Sequence, residues 1–171
     1  LTLYPIIIIF RVSNIAHNTL TINGERHLVE SNAPITRTFE SKKQKGAEVD
    51  LSSVFANSVK KAVRTVILDQ KDHLEVTDRL ETGDKEATVS WIMVTPAEAK
   101  ITGKNRMELT KDGQRMLLTV DADTEVEMKT WSNVPPHEYD FRNPGTIRVG
   151  FETVIPANRA AQLKVRLIPL K

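Results

Sequence analysis

Residues 106–119 read RMELTKDGQRMLLT, two alternating runs on either side of Asp112-Gly113. An Asp-Gly pair suits a type I′ turn, because both central residues must take positive φ. Folded back on that turn, the segment sets Met107, Leu109, Met116 and Leu118 on one face. Glu108, Thr110, Arg115 and Thr119 fall on the other. Turn chemistry and alternation agree, and they specify an antiparallel hairpin with one buried side.

The same period of two runs outward through most of the chain. Asn23-Gly24 predicts a second hairpin in which Ile22 faces Glu25, Leu20 faces His27 and His17 faces Glu30. Gly83-Asp84 predicts a third, between Leu74, Val76 and Leu80 on one strand and Ala87, Val89, Trp91 and Met93 on the other. Val126 and Met128, then Ile147, Val149 and Phe151, then Leu163, Val165 and Leu167 continue the pattern. Leu3–Phe10 reads as a buried strand whose Pro5 lies at an edge or outside the ladder. The exception is Ser52–Val63, where Val54, Phe55, Val59 and Val63 recur at helical spacing and predict a short helix. The fold class is therefore all-β: an antiparallel, supersandwich-like β-sandwich of about a dozen strands with at most one short helix, one domain over residues 1–171.

Composition narrows the function. With 24 Lys+Arg against 22 Asp+Glu in 171 residues, the chain lacks the basic footprint of a nucleic-acid binder. Absence of cysteine removes disulfides, thiolate zinc sites and cysteine nucleophiles together. The apolar run that begins at Leu3 stops at Arg11, too short to span a bilayer, and it lacks the basic lead and small-residue cleavage site of a signal peptide. Entry straight into apolar sequence, without an initiator Met, leads us to expect a fragment whose N-terminal partner is missing.

The four histidines, His17, His27, His73 and His137, form no HxH or HExxH pair, and no nucleophile elbow, P-loop or dinucleotide fingerprint is present. His17 shares strand parity with Thr19 and Thr21, opposite to Leu20 and Ile22, which sets its imidazole on a polar face across from Glu30. It is either a surface histidine paired with a carboxylate, or a metal ligand or catalytic imidazole that Glu30 orients. Asp78 shares parity with Val76 and Leu80, so its carboxylate points inward and needs a partner such as Arg64 or Arg79. Ser132–Gly145, SNVPPHEYDFRNPG, is long for a hairpin loop and rich in rings and charge. His137, Tyr139, Phe141 and Arg142 either form a sugar-facing platform or cover a sheet edge, since aromatic faces stack on pyranose rings and Arg pairs with carboxylate or sulfate.

Phe10–Gly24, FRVSNIAHNTLTING, resembles the start of the HNT region of heparinase II/III-like polysaccharide lyases. Arg64–Asp78 (RTVILDQKDHLEVTD), Asn143-Pro144-Gly145 and Val149–Glu152 are similar to later parts of the same domain, so the likeness runs from Phe10 through nearly the whole chain. The resemblance implies a C-terminal β-sandwich that walls one side of a cleft, facing an N-terminal α-helical toroid. It implies cleavage of uronic-acid-containing glycans, heparin/heparan sulfate-like or alginate-like, by β-elimination. It also implies an acidic polysaccharide as partner, a bacterial periplasmic or secreted setting, and zinc in the full-length protein with His17 as one ligand. The family's other ligands and its catalytic residues have no counterparts here. The expectation is accordingly no catalytic residue in this chain, His137, Tyr139 and Arg142 as substrate contacts, and His17 as the metal-site histidine. No tight zinc binding by this chain alone, no nucleic acid and no membrane span are expected. The competing expectation is an autonomous, non-catalytic carbohydrate-binding or scaffold sandwich.

Overall fold

Side chains that alternate along a strand can bury only one face of a sheet, so a chain of such strands must stack two sheets to close a core. The computed structural model describes residues 10–171. Of the strand expected over Leu3–Phe10, only Phe10 is among them; it opens a three-residue 3-10 turn, Phe10–Val12, followed by a second at Asn14–Ala16. Twelve strands follow among the described residues: β1 (Leu20–Ile22), β2 (Ile35–Glu40), β3 (Gln44–Asp50), β4 (Lys61–Asp69), β5 (Leu74–Glu81), β6 (Ala87–Thr95), β7 (Glu98–Gly103), β8 (Arg106–Lys111), β9 (Gln114–Ala122), β10 (Val126–Ser132), β11 (Ile147–Ile155) and β12 (Ala160–Leu170). They form a four-stranded sheet ordered β1-β6-β11-β10 and an eight-stranded sheet ordered β2-β3-β4-β5-β12-β9-β8-β7. Every pairing is antiparallel. The structure is the all-β sandwich that the alternation specifies.

The core lies between the sheets. Leu163, Val165 and Leu167 of β12 alternate with Gln162, Lys164 and Arg166, and only the apolar set is buried. Opposite them the smaller sheet presents Leu20, Ile22, Val89, Val149 and Phe151, all in one apolar cluster. Trp91 and Phe151, register partners on β6 and β11, lie parallel with ring centres 6.1 Å apart.

The hairpin at Asp112-Gly113 forms with the expected register, Leu109 opposite Met116 and Met107 opposite Leu118. Two other hairpins do not form. At Asn23-Gly24 the turn itself is present, with φ of 54° and 68° and the Glu25 N–H donating to Ile22 O at 2.9 Å. Beyond it, however, Glu25–Glu30 has no alternating apolar set to bury, and β1 pairs instead with β6. Asn23 secures that choice by bonding Thr88 twice: its N–H donates to Thr88 O at 2.8 Å and its Oδ1 accepts the Thr88 N–H at 2.9 Å. At Gly83-Asp84 the chain crosses from one sheet to the other, so β5 and β6 are not neighbours. Buried Thr82 anchors the crossing, its hydroxyl donating to Pro156 O at 2.6 Å and its N–H to Arg159 O at 2.9 Å. Alternation is blind to this difference, because each strand keeps its apolar face either way.

The helix expected over Ser52–Val63 is replaced by consecutive turns. Val54 and Phe55 N–H groups converge on Leu51 O, and those of Ser58 and Val59 on Phe55 O. Val54, Phe55 and Val59 do enter the core, whereas Val63 already belongs to β4. Among the described residues no helix is long and apolar enough to cross a membrane.

Gly150 lets β11 approach β6. A Cβ at this position would sit 1.8 Å from Trp91 O, and the backbone is at φ 153°, a region that side chains disfavour. Gly150→Ala is expected to destabilise the fold by about 3 kcal/mol or more. Urea or thermal denaturation measures this, and an unchanged midpoint would show that β11 can retreat without loss.

Candidate functional site

The His17 segment takes its shape from the chain bend before β1. His17 is extended after the second 3-10 turn, and the Thr19 N–H donates back to His17 O at 2.9 Å. The regular strand starts only at Leu20, so its parity does not reach back to His17. His17 is exposed, and its Nε2 lies 2.9 Å from Arg11 O. A carbonyl only accepts, so Nε2 is the donor in this contact. The expected His17–Glu30 pairing is absent among the described residues, because residues 25–30 do not return along β1.

Asn18 fastens this segment to both sheets. Its Oδ1 accepts the Val94 N–H of β6 at 2.8 Å, and its backbone oxygen accepts from Arg64 Nη1 of β4 at 3.2 Å. Arg64 is the partner of Asp78: Nε and Nη2 donate to Oδ1 and Oδ2 at 2.7 and 2.8 Å, a bidentate bridge between facing residues of β4 and β5. Asp78 is 1% exposed, as inward parity requires. Arg79 points to the opposite face, where its Nη1 lies 3.4 Å from Thr65 Oγ1.

His27 lies beside this network. It meets Phe55 edge-on with ring centres 4.8 Å apart, and its Nε2 is 3.4 Å from Leu20 O. Burial holds its imidazole below the ordinary value of 6.5, and the charges of His17 and Arg64 push the same way.

The second candidate region is the loop between β10 and β11. Asn133 Nδ2 donates to Thr146 Oγ1 at 2.8 Å and the Thr146 hydroxyl donates to Asn143 O at 2.7 Å, closing the loop at its base. Two bonds then carry the loop against the start of the described chain. Asp140 Oδ1 accepts the Phe10 N–H at 2.8 Å. The Arg148 guanidinium donates to Ser132 O through Nε and Nη2, at 3.0 and 2.7 Å, and to Ile15 O through Nη1 at 3.2 Å. Its Cζ also stands 5.6 Å from the Phe10 ring centre. Burial lowers the Arg148 pKa.

The residues singled out from sequence thus converge on one end of the four-stranded sheet, where Val94 of β6 lies opposite Arg148 of β11. At the loop's outer side His137 and Tyr139 stack, ring centres 4.9 Å apart and planes within 15°. Tyr139 is 62% and Phe141 68% exposed. His137 and Arg142 are also exposed. The positions that escaped the sequence reading are Asp140, Arg148 and His27. Arg148 and Asp140 bond chain segments 133 and 130 residues away, a separation that leaves no local signature.

Zinc needs four ligands in tetrahedral array. Among the described residues no three His, Asp or Glu side chains gather as a cage, and residues 1–9 contain none of these types. His17 offers one imidazole nitrogen, so the residues of this chain do not by themselves fit a zinc ion.

Residues 10–164 match the family model described as "Heparinase II/III-like, C-terminal". No curated protein matches the sequence. Among solved structures, one of heparinase III superposes with TM-score 0.68 at 15% identity, over 90% of this chain and 23% of that one. The heparinase III-BT4657 gene product superposes with TM-score 0.66 at 14% identity, over 90% of this chain and 24% of its own. A mutant of heparan sulfate lyase HepC from Pedobacter heparinus gives 0.63 at 18% identity, over 91% and 24%. At these identities the likeness is one of fold, and the chain spans about a quarter of the length of those structures.

Two outcomes follow from the bridge and its neighbour. Asp78→Ala strands Arg64 without a counter-charge and is expected to cost roughly 3–5 kcal/mol, most of it regained when Arg64 and Asp78 are replaced together by Met and Leu. Chemical denaturation of single and double variants measures both, and equal losses would show that the cost does not come from an unpaired Arg64. His27 has the opposite sign from a paired histidine. Its folded-state pKa lies below the unfolded value of 6.5, so the unfolded chain binds the extra proton. The stability it contributes is full above that value and falls as pH drops below it. The melting temperature of His27→Gln should therefore depend less steeply on pH than that of the parent between about pH 6.5 and 5; identical slopes would exclude His27 as the cause.

Proposed function

Because the chain belongs to the heparinase II/III-like family as its C-terminal domain, we propose that it forms one wall of the cleft in a lyase that splits uronic-acid-containing glycans by β-elimination. The convergence of the His17 segment and the 132–145 loop at one end of the smaller sheet carries this reading. Two regions far apart in sequence are bonded side by side there, and together they present stacked rings, an arginine and an imidazole.

β-Elimination sets three demands on an enzyme. The uronate carboxylate must be neutralised so that the C5 proton becomes acidic, a base must take that proton, and an acid must protonate O4 as the C4–O4 bond breaks and the C4–C5 double bond forms. In this reading none of the proton-transfer groups comes from this chain. A preceding helical toroid supplies them, and the sandwich binds and orients the substrate. Tyr139 and His137 offer a flat apolar surface to a sugar ring, with Phe141 alongside. The exposed Arg142 guanidinium is suited to a carboxylate or sulfate of the same polymer. His17, exposed on the bend before β1, contributes one histidine to a metal site whose remaining ligands lie outside this chain.

Binding groups and chemical groups separate in kinetics. In the intact lyase, Tyr139→Ala and Arg142→Ala are expected to raise KM roughly tenfold each while kcat stays within about twofold. The chain by itself should generate no ultraviolet absorbance from an unsaturated uronate product. Loss of kcat at unchanged KM, or turnover by the isolated chain, would overturn this division of labour.

A further inference from the structure

The outer face of the eight-stranded sheet concentrates charge in a way the cleft does not use. A groove of about 670 Å³ runs where β8, β9 and β12 lie side by side, and Lys104, Arg106, Lys164 and Arg166 line it together with a single carboxylate, Asp121. That lining is more positive than the chain as a whole, whose net charge is +2. Arg106 and Arg166 both face Thr119, one from each side, which sets them about 10 Å apart across the sheet. Lys164 is two residues from Arg166 on the same face, about 7 Å along the strand.

We propose that this groove is a second binding site for a segment of anionic polysaccharide, independent of the cleft. Its cations are only partly committed. Glu75 accepts from Arg166 Nε at 2.8 Å and lies 3.5 Å from Lys164 Nζ, and among the described residues the terminal guanidinium nitrogens of Arg166 make no hydrogen bond. Lys104 reaches the exposed Glu125 at 2.9 Å. Arg106 makes no ion pair among the described residues.

Asn105 also lines the groove. Its Nδ2 donates to Val120 O at 3.2 Å and its backbone oxygen accepts the Val120 N–H at 3.0 Å, which fixes the side chain against β9. The Asn105 Oδ1 is buried and has no donor. A sulfated or carboxylated glycan brings anions for Lys104, Arg106 and Arg166. The near-balanced charge of the chain as a whole, +2, lacks the broad basic footprint that DNA binding needs, so the glycan is the favoured ligand.

The groove stands apart from the loop. Lys104 pairs with Glu125, just before β10 begins, whereas the loop leaves β10 after Ser132, seven residues and about 20 Å further on. A polymer held at both places pays the entropy of association once, which raises the local concentration of its second stretch.

The test uses the intact protein and a fluorescent heparin-derived oligosaccharide, with a DNA duplex of similar charge as comparison. Lys104→Glu combined with Arg106→Glu should weaken heparin binding at least tenfold at unchanged melting temperature, with added salt narrowing the difference. Tyr139→Ala in the same assay should leave that groove contribution in place, so failure of the platform and failure of the groove read out separately. Unchanged heparin affinity in the double variant overturns the proposal. So does DNA that binds as tightly as heparin and is lost in the same variant.

Discussion

A carboxylate sealed inside a β-sandwich must be neutralised, and the way Asp78 meets that demand organises the interior around it. Arg64, its facing residue on β4, spends two donors on the carboxylate and keeps a third for the backbone oxygen of Asn18. The bridge therefore joins β4 and β5 of the large sheet to the bend that carries His17. Asn18 in turn caps Val94 of the small sheet through its side chain. One buried ion pair thus connects, through Asn18, to both sheets at the end where the His17 segment lies. Ion pairs of this kind rarely add net stability against a well-packed apolar pair. What this one supplies is direction: the guanidinium is planar, and fixing two of its edges on Asp78 decides where the third points.

Much of the fold was legible because alternation is a local property. The strand faces carrying Val76 and Leu80, Val89 and Trp91, Val149 and Phe151, and Leu163 and Val165 are all buried as the period of two specifies. Inward placement of Asp78 came from the same rule. Strand partners were less accessible. Asp112-Gly113 closes a true hairpin since both flanking runs have an apolar face to bury against the same sheet. Asn23-Gly24 adopts the same positive-φ turn, yet only one flank alternates, and the freed edge pairs with β6. The β5–β6 crossing looked like a hairpin because turn residues report a change of direction, not the sheet to which the chain returns. Three apolar residues at helical spacing in 52–63 buried themselves by consecutive turns, for which a short stretch between two strands leaves room.

The candidate site was legible as residue types and not as an arrangement. His17 and the ring-rich loop stood out by composition, while Asp140–Phe10 and Arg148–Ile15, which bring the two together, are long-range side-chain-to-backbone bonds. A backbone acceptor has no identity in sequence, so an arginine aimed at Ile15 O reads like any surface arginine. Parity also misled at His17. It holds only along an unbroken strand, and the bend at Asn18 ends it one residue too early.

The core and the candidate site are also built differently. A sandwich stabilises itself through an apolar interior that needs nothing from outside, and the two-sheet core here closes without a partner. Its chemistry-bearing groups do not close in that way. Among the described residues His17 belongs to no cluster of three or more metal-ligand side chains, and Tyr139 and Phe141 are largely exposed. The core is thus gathered within the chain, whereas the candidate site groups stand at its surface. The groups whose pKa values shift are scattered over the sandwich: burial lowers His27 and Arg148 separately, ion pairing lowers Glu152 beside Lys129 and Glu108 beside Arg115, and hydrogen bonds from Ser52 and from the His73 backbone lower Asp50 and Asp69.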